Sequence, residues 1–306
     1  MYAANNILLI RPSNFAFNTE TAESNSFQSN IAESKNELLF NVQTEFEVFA
    51  TTLKSIGVQL YIFDDTTFPK KPDAIFPNNW ITFHSDGTVR LYPMFAPNRR
   101  NERRLDIIES LRPSFVIKEV IDLSHYEKQN KFLEGTGSIV FDHRNKHAYA
   151  CISPRTNKEM FNNLCSDLDY KPIYFHAHDT NGTEIYHTNV MMCIGEKFAV
   201  ICLDSITNPK ERENVFETLV CSGHVIVNIL PAQMNKFAGN MLEIENDRNE
   251  KLLVISQTAF ECLNANQINT LEQYCKIVPL AIPTIESIGG GSVRCMIAEI
   301  FLPALK

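Results

Sequence analysis

What the 306-residue sequence lacks narrows its class before any motif is read. No apolar run approaches the ~18 residues that a membrane-spanning helix needs. Positive charge is not in excess: 28 Lys and Arg against 36 Asp and Glu leave a net charge of −8, which argues against a nucleic-acid-binding surface. The eight cysteines (Cys151, Cys165, Cys193, Cys202, Cys221, Cys262, Cys275 and Cys295) form no C-x-x-C pair. Most sit inside apolar runs such as VMMCIG and FAVICLD, and read as small buried hydrophobes in a reducing compartment. The N-terminal MYAANNILLIRPSNF carries no basic flank before its short apolar core, so no secretion signal is expected and the cytoplasm is the expected location. Glycine is scarce, with 11 residues. Its one cluster, Gly289–Gly291, does not belong to a G-x-G-x-x-G helix opening and is no nucleotide fingerprint. A hydrophobic fraction of 44% excludes a disordered chain, and the length suits a single closed α/β unit over 1–306.

What the sequence does contain is a repeat. Four segments share one plan: NWITFHSDGTVRLYP from Asn79, GSIVFDHRNKHAYACIS from Gly137, NVMMCIGEKFAVICLDS from Asn189 and NMLEIENDRNEKLLVIS from Asn240. Each has an apolar strand, a polar turn and a second apolar strand. A helix-compatible stretch follows (NRRNERRLDIIESL, TNKEMFNNL, NPKERENVFETLV, QTAFECLNA), then another β-like run (VIKEVIDL, KPIYFH, HVIVNIL and the less regular CKIVPLAI). A fifth copy is split across the termini. SVRCMIAEIFL from Ser292 supplies its start, ILLIRP its second strand, ESKNELLFNVQTEFEVFATTLKSIG its helix and VQLYIFD its last strand. The copies start 58, 52, 51 and 52 residues apart. That regularity predicts an α/β fold built as a ring of five ββαβ units, closed by pairing of the terminal segments, because closure removes exposed sheet edges.

The leading residues of equivalent strands gather at one end of such a ring, where the scaffold brings groups distant in sequence together. Asp73, Asn78 and Asn79 (PDAIFPNN) lead into the first copy, Glu134 (FLEGTGS) into the second and His187 (IYHTNVMM) into the third. Asn240, which ends MNKFAGN, is expected to contact a bound substrate, and Cys295 follows three glycines in ESIGGGSVRC. Alone, Glu134 reads as a turn cap, His187 as a core histidine and Cys295 as one more buried thiol. Together at matched repeat positions they read as an activated thiol site, with a nucleophilic thiolate, a proton-transferring imidazole and an orienting carboxylate. The glycines let backbone approach the reacting centre, and Arg294 adds positive field beside the thiol. His176, His178 and Asp179 (FHAHDTNG) read as a strand and turn rather than metal ligands. His143 and His147, flanking a hairpin turn, are expected at the surface. Trp80 is expected in the core or a pocket wall.

FPNNW, EGTGS, YHTNVMM and a glycine-rich segment ending in RCM occur in this order, within a stretch from about residue 7 to 303. In them the chain resembles the guanidino-group-modifying (pentein) superfamily, which includes arginine deiminases, dimethylargininases, succinylarginine dihydrolases and amidinotransferases. Among its groups the citrulline utilization hydrolases are the nearest match. The resemblance implies a five-bladed α/β propeller. It makes Cys295 the nucleophile on the guanidine or ureido carbon, His187 the general acid/base and Glu134 the carboxylate that contacts substrate nitrogens. PDAIFPNN aligns with the D-x-V-F-x-E-D stretch of dimethylargininase-like members, with Asp73 on the first acid, Asn78 on the Glu and Asn79 on the last Asp. Arg99 falls where an arginine binds the substrate α-carboxylate, with Arg100 the alternative.

Two departures bear on the substrate. Arginine deiminases carry an acid two residues after the histidine, where this chain has Asn189, and Asn79 replaces the acid of the first motif. A buried cation needs a paired charge, whereas a neutral group needs only hydrogen bonds. An amide offers both donor and acceptor to a ureido group. The expected reaction is therefore hydrolysis of the ureido C–N bond of citrulline to ornithine, ammonia and carbon dioxide through a covalent cysteine intermediate. No metal or organic cofactor and no nucleic-acid or membrane partner are expected, while homo-oligomerisation is left open. The alternatives are a deiminase, a dimethylargininase or an amidinotransferase acting on a guanidino substrate, or a non-catalytic propeller that binds a partner.

Overall fold

The computed structural model describes residues 2–305 apart from 23, 26 and 30–33. The chain enters as β1 (Asn6–Arg11), crosses in helix α1 (Lys35–Ser55) and returns parallel to β1 as β2 (Gln59–Asp64). The Ser34 side chain caps α1 by accepting from the Glu37 N–H. Leu38, Val42, Phe46, Phe49 and Leu53 form its buried stripe, and each buried Phe is worth roughly 1.5–3 kcal/mol. The first residue of the predicted helical segment, Glu33, lies outside the described residues.

Four further units follow the plan read from the sequence. The first comprises β3 (Ile81–Phe83), β4 (Thr88–Leu91), α2 (Leu105–Leu111) and β5 (Glu119–Asp122). The one-turn helix α3 (Gly135–Ser138) introduces the second: β6 (Val140–Asp142), β7 (His147–Cys151), α4 (Lys158–Leu168) and β8 (Lys171–Phe175). Another one-turn helix, α5 (Thr188–Met191), introduces β9 (Met192–Ile194), β10 (Phe198–Ile201), α6 (Pro209–Cys221) and β11 (Val225–Asn228). In the last of the four, α7 (Pro231–Met234) precedes β12 (Leu242–Glu245) and β13 (Lys251–Ser256). Helices α8 (Gln257–Cys262) and α9 (Ala265–Glu272) then lead to β14 (Lys276–Leu280).

Each unit makes a three-stranded sheet with one antiparallel and one parallel pairing. The crossover helix lies between the parallel strands, as a parallel pair requires. The fifth sheet joins the two ends of the chain. After α10 (Pro283–Gly289), β15 (Ala298–Glu299) pairs antiparallel with β1. Ile300 bridges to Phe83 of β3, so the terminal segment also touches the next sheet. Among the described residues no helix is long and apolar enough to cross a membrane.

Helical turns, not strands, carry the leading residues of several units. Asn78 and Asn79 lie in a 3-10 turn, Pro77–Asn79, and Cys295 lies in another, Val293–Met296, rather than inside a strand. Gly135 takes φ +45°, and a Cβ there would stand 2.2 Å from the Asn78 carbonyl oxygen, so the turn before β6 seats directly on the turn before β3. His143 departs from expectation as well. It packs on Phe301 at 4.6 Å between ring centres and on Phe141, and its Nδ1 meets the Tyr170 hydroxyl at 2.7 Å. Aromatic partners from other segments draw it in from solvent. Trp80 is core, packed in the cluster that includes Ile81 and Leu91.

Candidate active site

His187 and Glu134 meet in the interior, 2% and 0% exposed. His187 stands just before α5, with extended backbone, and Glu134 just before α3. Imidazole Nε2 and carboxylate Oε2 are 2.8 Å apart. Glu134 Oε1 accepts from the Phe95 N–H at 2.9 Å, and Arg155 Nη1 lies 3.6 Å from Oε2. Burial opposes ionisation of Glu134, but Arg155 and the hydrogen bond from His187 outweigh it and hold the carboxyl below its ordinary range. Burial also holds His187 below its ordinary value, against the pull of Glu134. The resting pair is therefore carboxylate and neutral imidazole, with the proton on Nε2 and a lone pair on Nδ1.

That second nitrogen faces Gly137. A Cβ on Gly137 would lie 2.7 Å from His187 Nδ1 and 2.4 Å from Asn79 Nδ2, so only glycine lets these two groups converge. Cys295 is 5% exposed. Its hydrogen-bond partners are two amides, Asn240 Nδ2 at 3.3 Å and Asn189 Nδ2 at 3.5 Å, rather than the imidazole. Asn189 lies two residues beyond His187 and so joins the thiol to the histidine segment. The Asn240 amide is fixed at both ends: Nδ2 donates to the Asn189 carbonyl at 2.9 Å and Oδ1 accepts from the Arg294 N–H at 3.0 Å. Asn240, expected on the substrate, therefore touches the thiol and ties two segments together.

The residues singled out from sequence also carry unpaired buried polar atoms. Asp73 Oδ1, Asn78 Oδ1 and Nδ2, Asn79 Nδ2 and Asn189 Oδ1 are all buried without a hydrogen-bond partner among the described residues. Buried polar atoms are almost always paired, and of the ten unpaired ones among the described residues five lie on these four residues, which leaves them free for a polar ligand. Asp73 accepts from Asn18 Nδ2 at 2.7 Å through its other oxygen, and burial raises its proton affinity despite Arg99 nearby.

Other expectations are revised. Arg99 was expected on the substrate carboxylate, but its guanidinium is buried and taken up by protein groups: Glu102 at 2.9 Å through two bonds, Asn79 Oδ1 at 2.8 Å and Asp73 at 3.6 Å. Arg100 instead bonds the Met94 and Phe95 carbonyls and pairs with Glu127. The Arg294 side chain turns to Glu299 and the Ile297 carbonyl rather than to the thiol. Gly289 and Gly291 make room for the Phe76 ring, since a Cβ at either would come within 2.9 Å of it.

Sequence reasoning missed Arg155, which lies over the Tyr186 ring at 4.8 Å. It also missed the N-terminal loop that crosses the site. Thr21 O and Ser24 Oγ accept from Arg155, Asn18 reaches Asp73, and Gln28 Nε2 donates to the Gly289 carbonyl at 3.2 Å. The only signal for this loop was its density of Asn, Ser and Thr, which solvated loops share.

A buried Cys, His and Glu thus lie among five three-stranded ββαβ sheets, and solved structures match the chain at the level of fold. ArgZ, an arginine dihydrolase from the ornithine-ammonia cycle in cyanobacteria, matches with TM-score 0.75 and 16% identity over 98% of this chain. The chain spans 41% of full-length ArgZ and 99% of its substrate-bound N-terminal domain, which has TM-score 0.74. DDAH from Pseudomonas aeruginosa complexed with citrulline matches with TM-score 0.66 and 14% identity, over 97% of this chain and 100% of that one. No curated protein matches the chain. The family model for eukaryotic N,N dimethylarginine dimethylhydrolase matches residues 11–302. The chain belongs to that family, within the guanidino-modifying pentein superfamily.

Proposed function

We propose that the chain hydrolyses the ureido C–N bond of citrulline, as a single catalytic unit whose five sheets close into a propeller around the site. The observation that carries this reading is the pair of unpaired buried amides on Asn79, which shares the space over Gly137 with His187, and on Asn189, which bonds the Cys295 thiol. A neutral ureido group supplies the carbonyl and N–H groups that such amides need.

In the proposed mechanism Nδ1 of neutral His187 takes the thiol proton, and the Cys295 sulfur bonds to the ureido carbon. The C=O electron pair moves onto oxygen. As the adduct collapses, the C–N bond to the side-chain nitrogen breaks, and imidazolium returns its proton so that ornithine leaves as the amine. Glu134 stabilises the imidazolium throughout. The remaining S-carbamoyl group is attacked by water, with His187 as base. Carbamate leaves, the thiol is restored, and carbamate breaks down to ammonia and carbon dioxide.

A second reading, hydrolysis of a methylated or unmethylated guanidino group, is favoured by the family match and by the unpaired oxygen of Asp73. Hydrolysis of a guanidino C–N bond leaves a ureido group, so the two readings differ in the fate of citrulline. Purified protein is supplied in turn with citrulline, arginine and N,N-dimethylarginine, and amino acids are quantified. The proposed function requires citrulline to disappear as ornithine forms. Citrulline accumulating from a guanidino substrate, and persisting when supplied alone, overturns it.

A further inference from the structure

We propose that the buried Arg99–Glu102 pair selects a neutral substrate by locking the direction of the Asn79 amide. This rests on the reading above, in which the reacting group lies among Asn79, Asn189 and Cys295. Arg99 and Glu102 are each 2% exposed on one 3-10 turn, Pro97–Glu102. Glu102 takes Nε and Nη2 of Arg99 at 2.9 Å each, and Nη1 donates to Asn79 Oδ1 at 2.8 Å. A guanidinium has donors only. Turning the Asn79 amide over would set N–H against N–H, so its Nδ2 is held facing away from Arg99 and toward the His187 side of Gly137.

Asn189 has the opposite polarity. Its Nδ2 is on the Cys295 sulfur, and its Oδ1 is the unpaired atom. Of these two amides, Asn79 thus presents a fixed donor and Asn189 an acceptor. A ureido group answers both, with its oxygen on Asn79 and its NH2 on Asn189. A guanidinium satisfies Asn189 but brings another N–H to Asn79 and leaves that buried donor unpaired, a strong basis for rejection. The same Asn79 N–H stabilises the oxygen as negative charge develops on it. Arg99 acts here as a positioning residue.

Calorimetric binding of citrulline and arginine to the Cys295→Ala protein gives the base measurement. Citrulline is expected to bind at least roughly tenfold more tightly, the worth of one buried hydrogen bond. The citrulline-to-arginine ratio of kcat/KM is then measured on active protein. Asn79→Asp keeps a partner for Arg99 but turns an acceptor toward the substrate, and the ratio is expected to fall roughly 10- to 100-fold. Arg99→Met with Glu102→Met removes cation and anion together, which avoids stranding a buried charge. With the amide free to turn, the ratio is again expected to fall. A purely structural role would lower both substrates together and leave the ratio alone. An unchanged ratio in the folded variants overturns the lock while citrulline hydrolysis by the unaltered protein still stands. If neither variant folds, the base measurement decides: arginine bound as tightly as citrulline overturns the lock. A protein that neither binds nor hydrolyses citrulline overturns the underlying reading and the lock with it.

Discussion

Glu134→Gln isolates the carboxylate on which the histidine depends. The substitution keeps shape and leaves an oxygen for the Phe95 N–H. It places an NH2 against His187 Nε2, where a carboxylate now sits at 2.8 Å. The imidazole must then carry its proton on Nδ1, the nitrogen facing Gly137 and Asn79, and the base is lost. A charge-assisted hydrogen bond accounts for about 1.5–3 kcal/mol, and breaking a buried ion pair for about 3–5 kcal/mol, since Arg155 would keep its charge with its neighbour neutralised. These overlap, because one carboxylate serves both contacts, so the expected loss of stability is about 3–5 kcal/mol rather than their sum. Urea unfolding should show an earlier midpoint with an unchanged slope. Citrulline turnover should fall about 10⁴-fold, the size of effect produced by a wrong histidine tautomer in a triad. Folded Glu134→Gln protein that turns over within tenfold of the unaltered enzyme would refute the reasoning.

Asn240→Ala should slow alkylation of Cys295 by iodoacetamide roughly tenfold at fixed pH, because one donor to the thiolate is removed. Peptide mapping separates Cys295 from the exposed Cys221, and an unchanged rate would contradict the role given to that amide. Acid should destabilise the protein through His187. Its proton affinity is depressed in the fold, so the unfolded chain takes up that proton first as pH falls below about 6.5, with a slope of up to about 1.4 kcal/mol per pH unit. The stability advantage over His187→Gln should therefore shrink from pH 7 to pH 5 in urea titrations, and an advantage constant with pH would show that the imidazole is not held neutral.

The five-unit plan was legible because a repeat of about fifty residues imposes itself on strand and helix patterns alike. The split unit was legible too, since ILLIRP and SVRCMIAEIFL are each half of a pattern seen whole elsewhere, and β1 pairs with β15. Cys295, His187, Glu134 and Asn189 stood out because leading residues of repeated units converge; the structure joins them in two hydrogen-bonded groups, His187 with Glu134 and Cys295 with Asn189 and Asn240. What was not legible depended on distant partners. Arg99 matched an arginine motif, and nothing local said that Glu102 would enclose it. Arg155 needed the N-terminal loop, about 130 residues earlier in the chain, to explain its burial. Strand alternation was the wrong frame for Asn78, Asn79 and Cys295, because short helical turns aim them.

The most direct measurement is the yield of ornithine and ammonia from citrulline by the unaltered protein and by Cys295→Ala. Equal amounts of the two products from the first and none from the second are expected. Ornithine formation that survives loss of the thiol, or none from the intact protein, would contradict the central claim that this sulfur attacks a ureido carbon.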